Sequence, residues 1–165
     1  MKMQIDHHYD ADVETVYALI SDPDFIERKY VALGGRDVAV DRSELDDGGA
    51  EVVTKRTVTV DLPGFAKKVL TPSQSTIQHE TWSPAQGEGE RLCSYFVEVQ
   101  GAPSRIEGKH RLSPASGGGT DHHLDIEVKV SIPLIGGKIE KFAGETGRVD
   151  LAAQFEFTDA ELAAG

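Results

Sequence analysis

A few polar side chains interrupt rows of apolar residues at two-residue spacing, and these have the types that could do chemistry. Arg56 lies in the row Val52, Thr54, Arg56, Val58, Val60. Tyr95 lies in Cys93, Tyr95, Val97, Val99, and His110 in Ile106, Gly108, His110, Leu112. Thr146 belongs to a helical stripe, with Asp150 at that stripe's edge as a potential partner. A guanidinium over apolar surface can hold a carboxylate or phosphate through paired hydrogen bonds. A tyrosine and a histidine can position a carbonyl or assist proton transfer. Each residue also has a plainer reading. Arg56 is expected as a strand-end charge reaching solvent over a buried stem, because a buried unpaired charge is costly. Tyr95 and His110 are expected to be structural groups with satisfied hydrogen bonds.

The histidines suggest a second chemistry. His7-His8 and His122-His123 are adjacent pairs, and neighbours on a strand point to opposite faces. Neither pair can close around one ion by itself, and a zinc site wants three or four ligands, so no metal is expected. Cys93 is the single cysteine and sits in an apolar row, where an inert core thiol is the expected role. No nucleophile elbow, HExxH, phosphate loop or dinucleotide fingerprint occurs, and no cofactor is expected.

The elements that must position these residues are legible in the patterning. "KMQIDHHYD" places Met3, Ile5, His7 and Tyr9 on one face of a strand. Asp10 is then the expected cap of a helix containing Val13, Val16, Tyr17 and Ile20. Asp22 followed by Pro23 begins a second short helix. Period-two rows follow, beginning with "RDVAVDRSEL" and "GAEVVTKRTVTV" around the turn Asp47-Gly48-Gly49. Four more strands are expected around "STIQHETW", "RLCSYFVEV", "SRIEGKHRL" and "DHHLDIEVKVSI", a spacing that favours an antiparallel meander. In the last of these, His122, Leu124, Ile126, Val128, Val130 and Ile132 share the inward face. After "SIPLIGGKIEKF" a long helix is expected, with Ile135, Ile139, Phe142, Thr146, Val149, Ala153 and Phe157 on its buried stripe.

The chain of 165 residues suits one domain, 1–165, with a sizeable core. Its formal net charge of −11 disfavours nucleic acid and anionic bilayers as partners. No apolar stretch reaches membrane-spanning length, so neither a signal peptide nor stable membrane insertion is expected, and a cytoplasmic location follows.

The element order, with "VETVYALISDPDF" and "IPLIGGKIEKFAGE" as its local carriers, resembles the helix-grip superfamily. That group includes START lipid-transfer domains, pollen-allergen-like proteins and polyketide cyclases. Within it, the chain most resembles an uncharacterised bacterial branch, a domain of unknown function. The resemblance implies an α+β fold in which a seven-stranded antiparallel sheet wraps around a long C-terminal helix. It also implies a cavity between sheet and helix, and an antiparallel pairing of first and last strands that would bring His7 toward His122.

Expectations for individual residues follow from that picture. Gly136 and Gly137 should let the helix start lie close to the strand that delivers it, with Pro133 setting the approach. The alternative, an anion cradle, lacks the fuller phosphate-loop spacing. Trp82 walls one cavity end or packs the core. "LPGFAKKVL", residues 62–70, is a surface loop with a small anchor, or a gate hinged at Gly64.

The expected ligand-contacting set is Arg56, Val58, Phe65, Trp82, Tyr95, His110, Ile126, Val128, Phe142, Thr146, Val149 and Asp150. The leading expectation is a carrier or sensor of a small hydrophobic or amphipathic ligand, with Arg56 and Tyr95 orienting its head. The alternatives are a cyclase or aromatase in which His110 or Tyr95 moves a proton, and a module that docks a protein through an apolar mouth.

Overall fold

The two-residue alternation becomes seven strands in the computed structural model, which describes all 165 residues. In chain order these are β1 (Lys2–Tyr9), α1 (Val13–Ile20), α2 (Pro23–Ala32), β2 (Arg36–Glu44) and β3 (Ala50–Thr59). Then follow β4 (Ser73–Trp82), β5 (Arg91–Val99), β6 (Ser104–Pro114), β7 (Thr120–Val130) and α3 (Gly136–Ala164). The strands form one antiparallel sheet in the order β1-β7-β6-β5-β4-β3-β2. β1 pairs with β7 in a register that sets His7 opposite His122, and neighbours in sequence pair throughout the rest. This is the α+β helix-grip arrangement.

Local chemistry starts and ends the elements. Asp22 caps α2 by accepting from the Phe25 amide at 3.0 Å, with Pro23 in the first turn. The cap of α1 is Asp12, not Asp10: its Oδ1 accepts from the Thr15 amide at 2.8 Å. The ladder holds β1 through Tyr9, opposite Thr120, so the chain must leave the sheet before a helix can begin. The β2–β3 turn closes as expected, with Gly48 at φ 88° and Asp47 Oδ1 accepting from the Gly49 amide.

The inner face of the sheet carries the core. Val52, Thr54, Trp82, Cys93, Leu112, Thr120, His122, Leu124, Ile126 and Val128 are all buried. Burial pushes the Cys93 thiol far above its ordinary range, which fits an inert core cysteine.

The long helix forms where expected but is rotated. Its inward face is Gly136, Ile139, Ala143, Gly147, Asp150, Leu151, Gln154, Phe155 and Thr158. The expected stripe through Thr146 and Val149 lies about one residue position, or roughly 100°, away. Val149 is 74% exposed, and Thr146 is exposed as well. On the sheet-facing side Gly144 and Gly147 lie under the side-chain ends of Met1 and Met3.

Of the two glycines that open α3, only one makes the close approach. A Cβ on Gly136 would lie 2.5 Å from the carbonyl oxygen of Val130, whereas at Gly137 it would meet open space.

Candidate functional site

Two adjoining hollows occupy the space between the sheet's inner face and α3. The inner one has a volume of about 200 Å³ and the outer about 720 Å³. Arg56, Tyr30, Ile106, Val128, Ala143 and Asp150 border both. The outer hollow is closed on one side by β3 and the segment that follows it. There Leu62 and Ala66 are buried against Ile139, and Leu62 and Leu70 line the space.

The inner hollow concentrates charge. Glu80 on β4 shares the inward face with Trp82 and Gln78 and is 9% exposed. Burial pushes its carboxyl up to about 7, against the pull of Lys29 and Arg56. Lys29 reaches in from α2 and is likewise 9% exposed. Its Nζ lies 4.7 Å from the centroid of the Tyr30 ring, and the Arg56 guanidinium carbon lies 3.8 Å from the same centroid. Those ring contacts stabilise both cations in a setting poor in water. Arg56 Nη1 and Trp82 Nε1 are buried donors with no hydrogen-bond partner.

Beside this cluster runs a chain of rings. Tyr9 Oη lies 3.3 Å from His122 Nδ1, and His122 Nε2 lies 2.9 Å from His110 Nδ1. Burial lowers both imidazoles, His110 to about 3 and His122 well below its ordinary value, with Lys29 adding to the effect at His110. Both are therefore neutral at physiological pH, each with one donor and one acceptor nitrogen. The His122 contact uses His110 Nδ1 and leaves His110 Nε2 as the ring nitrogen available to the hollow. Tyr95 packs edge-on against His110 at 4.7 Å, and its hydroxyl is raised above the ordinary phenol range by burial. Gly108 makes room for that ring: a Cβ there would lie 2.8 Å from Tyr95 Cε1.

The structure brings most of the expected residues together. Trp82, Tyr95, His110 and Ile126 line the inner hollow, Val58 and Phe142 the outer, and Arg56, Val128 and Asp150 both. Thr146 touches the outer hollow from an exposed position. Two residues fall elsewhere. Val149 turns to solvent with the rotated helix. Phe65 is 36% exposed, because the turn around it spends its inward positions on Leu62 and Ala66. Arg56 departs in part from the plainer expectation: it is half-buried, with its guanidinium on Tyr30 and Nη1 buried.

Lys29, Glu80, Tyr9 and His122 were not in the expected set, although each lines the inner hollow. For Glu80 the signal was present, as it shares strand parity with Trp82. For Lys29 no sequence signal existed, since a lysine on a short polar helix is ordinarily solvated. His7, opposite His122, lies 3.0 Å through Nε2 from Asp159 and stacks on Phe155 at 4.4 Å. The chain contains no grouping of three or more His, Cys, Asp or Glu placed to hold a metal ion.

A seven-stranded sheet gripping a long helix over a partly polar hollow defines a helix-grip protein. Within that class, residues 4–162 match the family described as protein of unknown function DUF2505, and the chain belongs to it. An uncharacterised protein of Mycobacterium tuberculosis, Rv0481c, is 37% identical over 101 residues, 60% of this chain. The match spans 58% of that relative's own length.

Among solved structures, TTHA0849 from Thermus thermophilus superposes with a TM-score of 0.68 at 17% identity, covering 99% of this chain and 98% of its own. The ZhuI aromatase/cyclase of a Streptomyces species gives 0.64 at 12% identity, covering 98% and 93%. At such identities the likeness concerns the fold alone. No helix of the chain is long and apolar enough to cross a membrane.

Proposed function

We propose that the chain binds a small hydrophobic or amphipathic molecule, lipid-like or polyketide-like, between the sheet and α3. One observation carries this reading: a mainly apolar outer hollow adjoins, across shared walls, a smaller inner one equipped with charged and hydrogen-bonding groups. An apolar body would gain roughly 25 cal/mol for each Å² removed from water, while the few polar groups would orient a head. Arg56 and Tyr95 are the foremost of those groups. The loop 62–70 serves as the gate, with ligand exchange requiring Leu62 and Leu70 to move.

Native mass spectrometry of protein purified from its own host, followed by extraction, tests the reading. The expected result is one additional small molecule per chain. A bare polypeptide mass, together with unchanged fluorescence of the single tryptophan on addition of the hydrophobic dye 1-anilinonaphthalene-8-sulfonate, would overturn it. For the gate, hydrogen exchange of residues 62–70 should slow at saturating dye.

A second reading is a cyclase- or aromatase-type enzyme using the same space. The chain Tyr9–His122–His110 beside the hollow is what favours it, since His110, tied through Nδ1 to His122, would present Nε2 as a fixed hydrogen-bonding group that orients a carbonyl of the bound chain. Turnover of a polyketide-like thioester distinguishes this reading from simple reversible binding.

A further inference from the structure

The chain's arginine and lysine ion pairs are made by Arg28, Arg42, Arg91, Arg105 and Lys129. Lys29 and Arg56 are different: both reach into the inner hollow without a carboxylate in ion-pair contact. Lys29 is more than nine-tenths buried, and its recorded polar contacts are the aromatic faces of Phe25 and Tyr30. Arg56 rests on Tyr30 with Nη1 buried and unpartnered. Trp82, 1% exposed, adds a third buried donor, Nε1, which faces Glu80 without forming a well-aligned hydrogen bond. Burying cations and donors in this way is costly, and the cost is recovered when an acceptor of negative charge joins them.

The charge balance narrows that acceptor. Glu80 is the one carboxylate on the strand side of the cluster, so Lys29, Arg56 and Glu80 sum to a single positive charge when all are ionised. Asp150, on the helix side, already accepts from Gln154 Nε2 at 2.6 Å. A monoanion with two acceptor oxygens matches one guanidinium fork and one ammonium.

We infer that the inner hollow selects the carboxylate head of an amphiphile, held by Arg56 and Lys29 with Trp82 Nε1 as a further donor, while its apolar body lies in the outer hollow. This rests on the binding reading above and adds the charge and geometry of the head. The apolar walls of the outer hollow, Val58, Val60 and Phe142 among them, suit the body. Glu80 faces the same cations and, when ionised, opposes a second negative charge on the head, which disfavours a dianion.

Titration with octanoate, 1-octanol, octylammonium and octyl phosphate, followed through Trp82 fluorescence, tests the inference in the unmodified protein. The four probes share one chain and differ in the head. Octanoate should bind at least tenfold tighter than 1-octanol, with octyl phosphate and octylammonium both weaker than octanoate. Lys29→Met and Arg56→Met should each reduce octanoate binding about tenfold and leave 1-octanol within about twofold, with circular dichroism confirming the fold. Should either variant fail to fold, the ranking in wild-type protein still decides the matter.

Equal binding of octanoate and 1-octanol would overturn the carboxylate assignment while leaving the hollow as a binding site. Tighter binding of octyl phosphate or octylammonium would overturn it likewise. If none of the four binds, the inference falls together with the reading beneath it.

Discussion

At the inner end of the space under α3, Lys29, Arg56, Glu80, His110 and His122 crowd around about 200 Å³. At the outer end, Val58, Val60, Leu62, Ile139 and Phe142 surround about 720 Å³ and rest against a turn-rich segment. The inner groups come from regular elements that are packed on one another, so their positions are set by the sheet register and by α2. The outer hollow also draws on β3, β7 and α3, but one side of it is closed by a segment anchored by only two buried residues, Leu62 and Ala66. Polar groups are thus held where the scaffold is stiff, and apolar bulk is accommodated where it can adapt.

Substitution of each region gives the sharpest way to break this contrast. Trp82→Ala, in the inner wall, is expected to cost about 3–5 kcal/mol in chemical denaturation, as for other buried large-to-small changes. Val58→Ala, in the outer wall, is expected to cost about 1 kcal/mol, in proportion to the smaller area removed.

Acidity acts on the inner region through its buried histidines. His110 titrates near 6.5 when unfolded and near 3 when folded, so the unfolded chain takes up its proton first. Stability is therefore full above pH 6.5 and is lost as pH falls toward 3, by about 1.4 kcal/mol per pH unit for this one group. At pH 5 that amounts to about 2 kcal/mol, and His110→Phe should remove this part of the slope in denaturation measured across the range.

Glu80 runs the other way. Its carboxyl is raised from 4.5 to about 7, so its contribution is present below pH 4.5 and lost as pH rises to about 7. The groups that face it include Lys29, Arg56, Gln78 and Trp82. Glu80→Gln should flatten stability over that window, and an unchanged profile would mean that the carboxyl is not desolvated.

Smaller effects separate the two glycines at the outer end of the helix. Gly136→Ala drives a methyl toward the Val130 carbonyl oxygen and should cost about 1–3 kcal/mol. Gly137→Ala meets open space and should raise stability by about 0.5 kcal/mol through lower unfolded-state entropy. Thermal melts of both variants check the pair, and a shared sign would refute the close-approach account. Val149→Ser should change stability by less than about 0.5 kcal/mol, since Val149 faces solvent.

The β-strands were legible because each displays its two faces in alternation, and every inward row containing a candidate residue was assigned to the face it occupies. The second short helix was legible from Asp22 and Pro23, the first from its apolar spacing although its cap is Asp12 and not Asp10, and the long one from its glycine-marked start. Its rotation was not, since a wheel weighted by hydropathy passes over Ala143, Gly147 and Gln154. Those residues face the sheet because they are small or because they serve the hollow. Phe65 was placed at the hollow because it is the largest apolar residue of its loop, but Leu62 and Ala66 are the residues that pack inward there.

The sequence by itself determined the antiparallel meander, the terminal helix, and a polar set led by Arg56, Tyr95 and His110, because periodicity and strand parity are local properties of the chain. Only the tertiary structure decided that Lys29 and Glu80 meet Arg56, and that Tyr9 reaches His110 through His122. Those groups lie on α2, β4, β3, β1, β6 and β7, far apart in sequence. Their meeting, and the burial that shifts the titration of Glu80 and the two histidines, arises when the sheet closes around the helix and excludes water from the space between them.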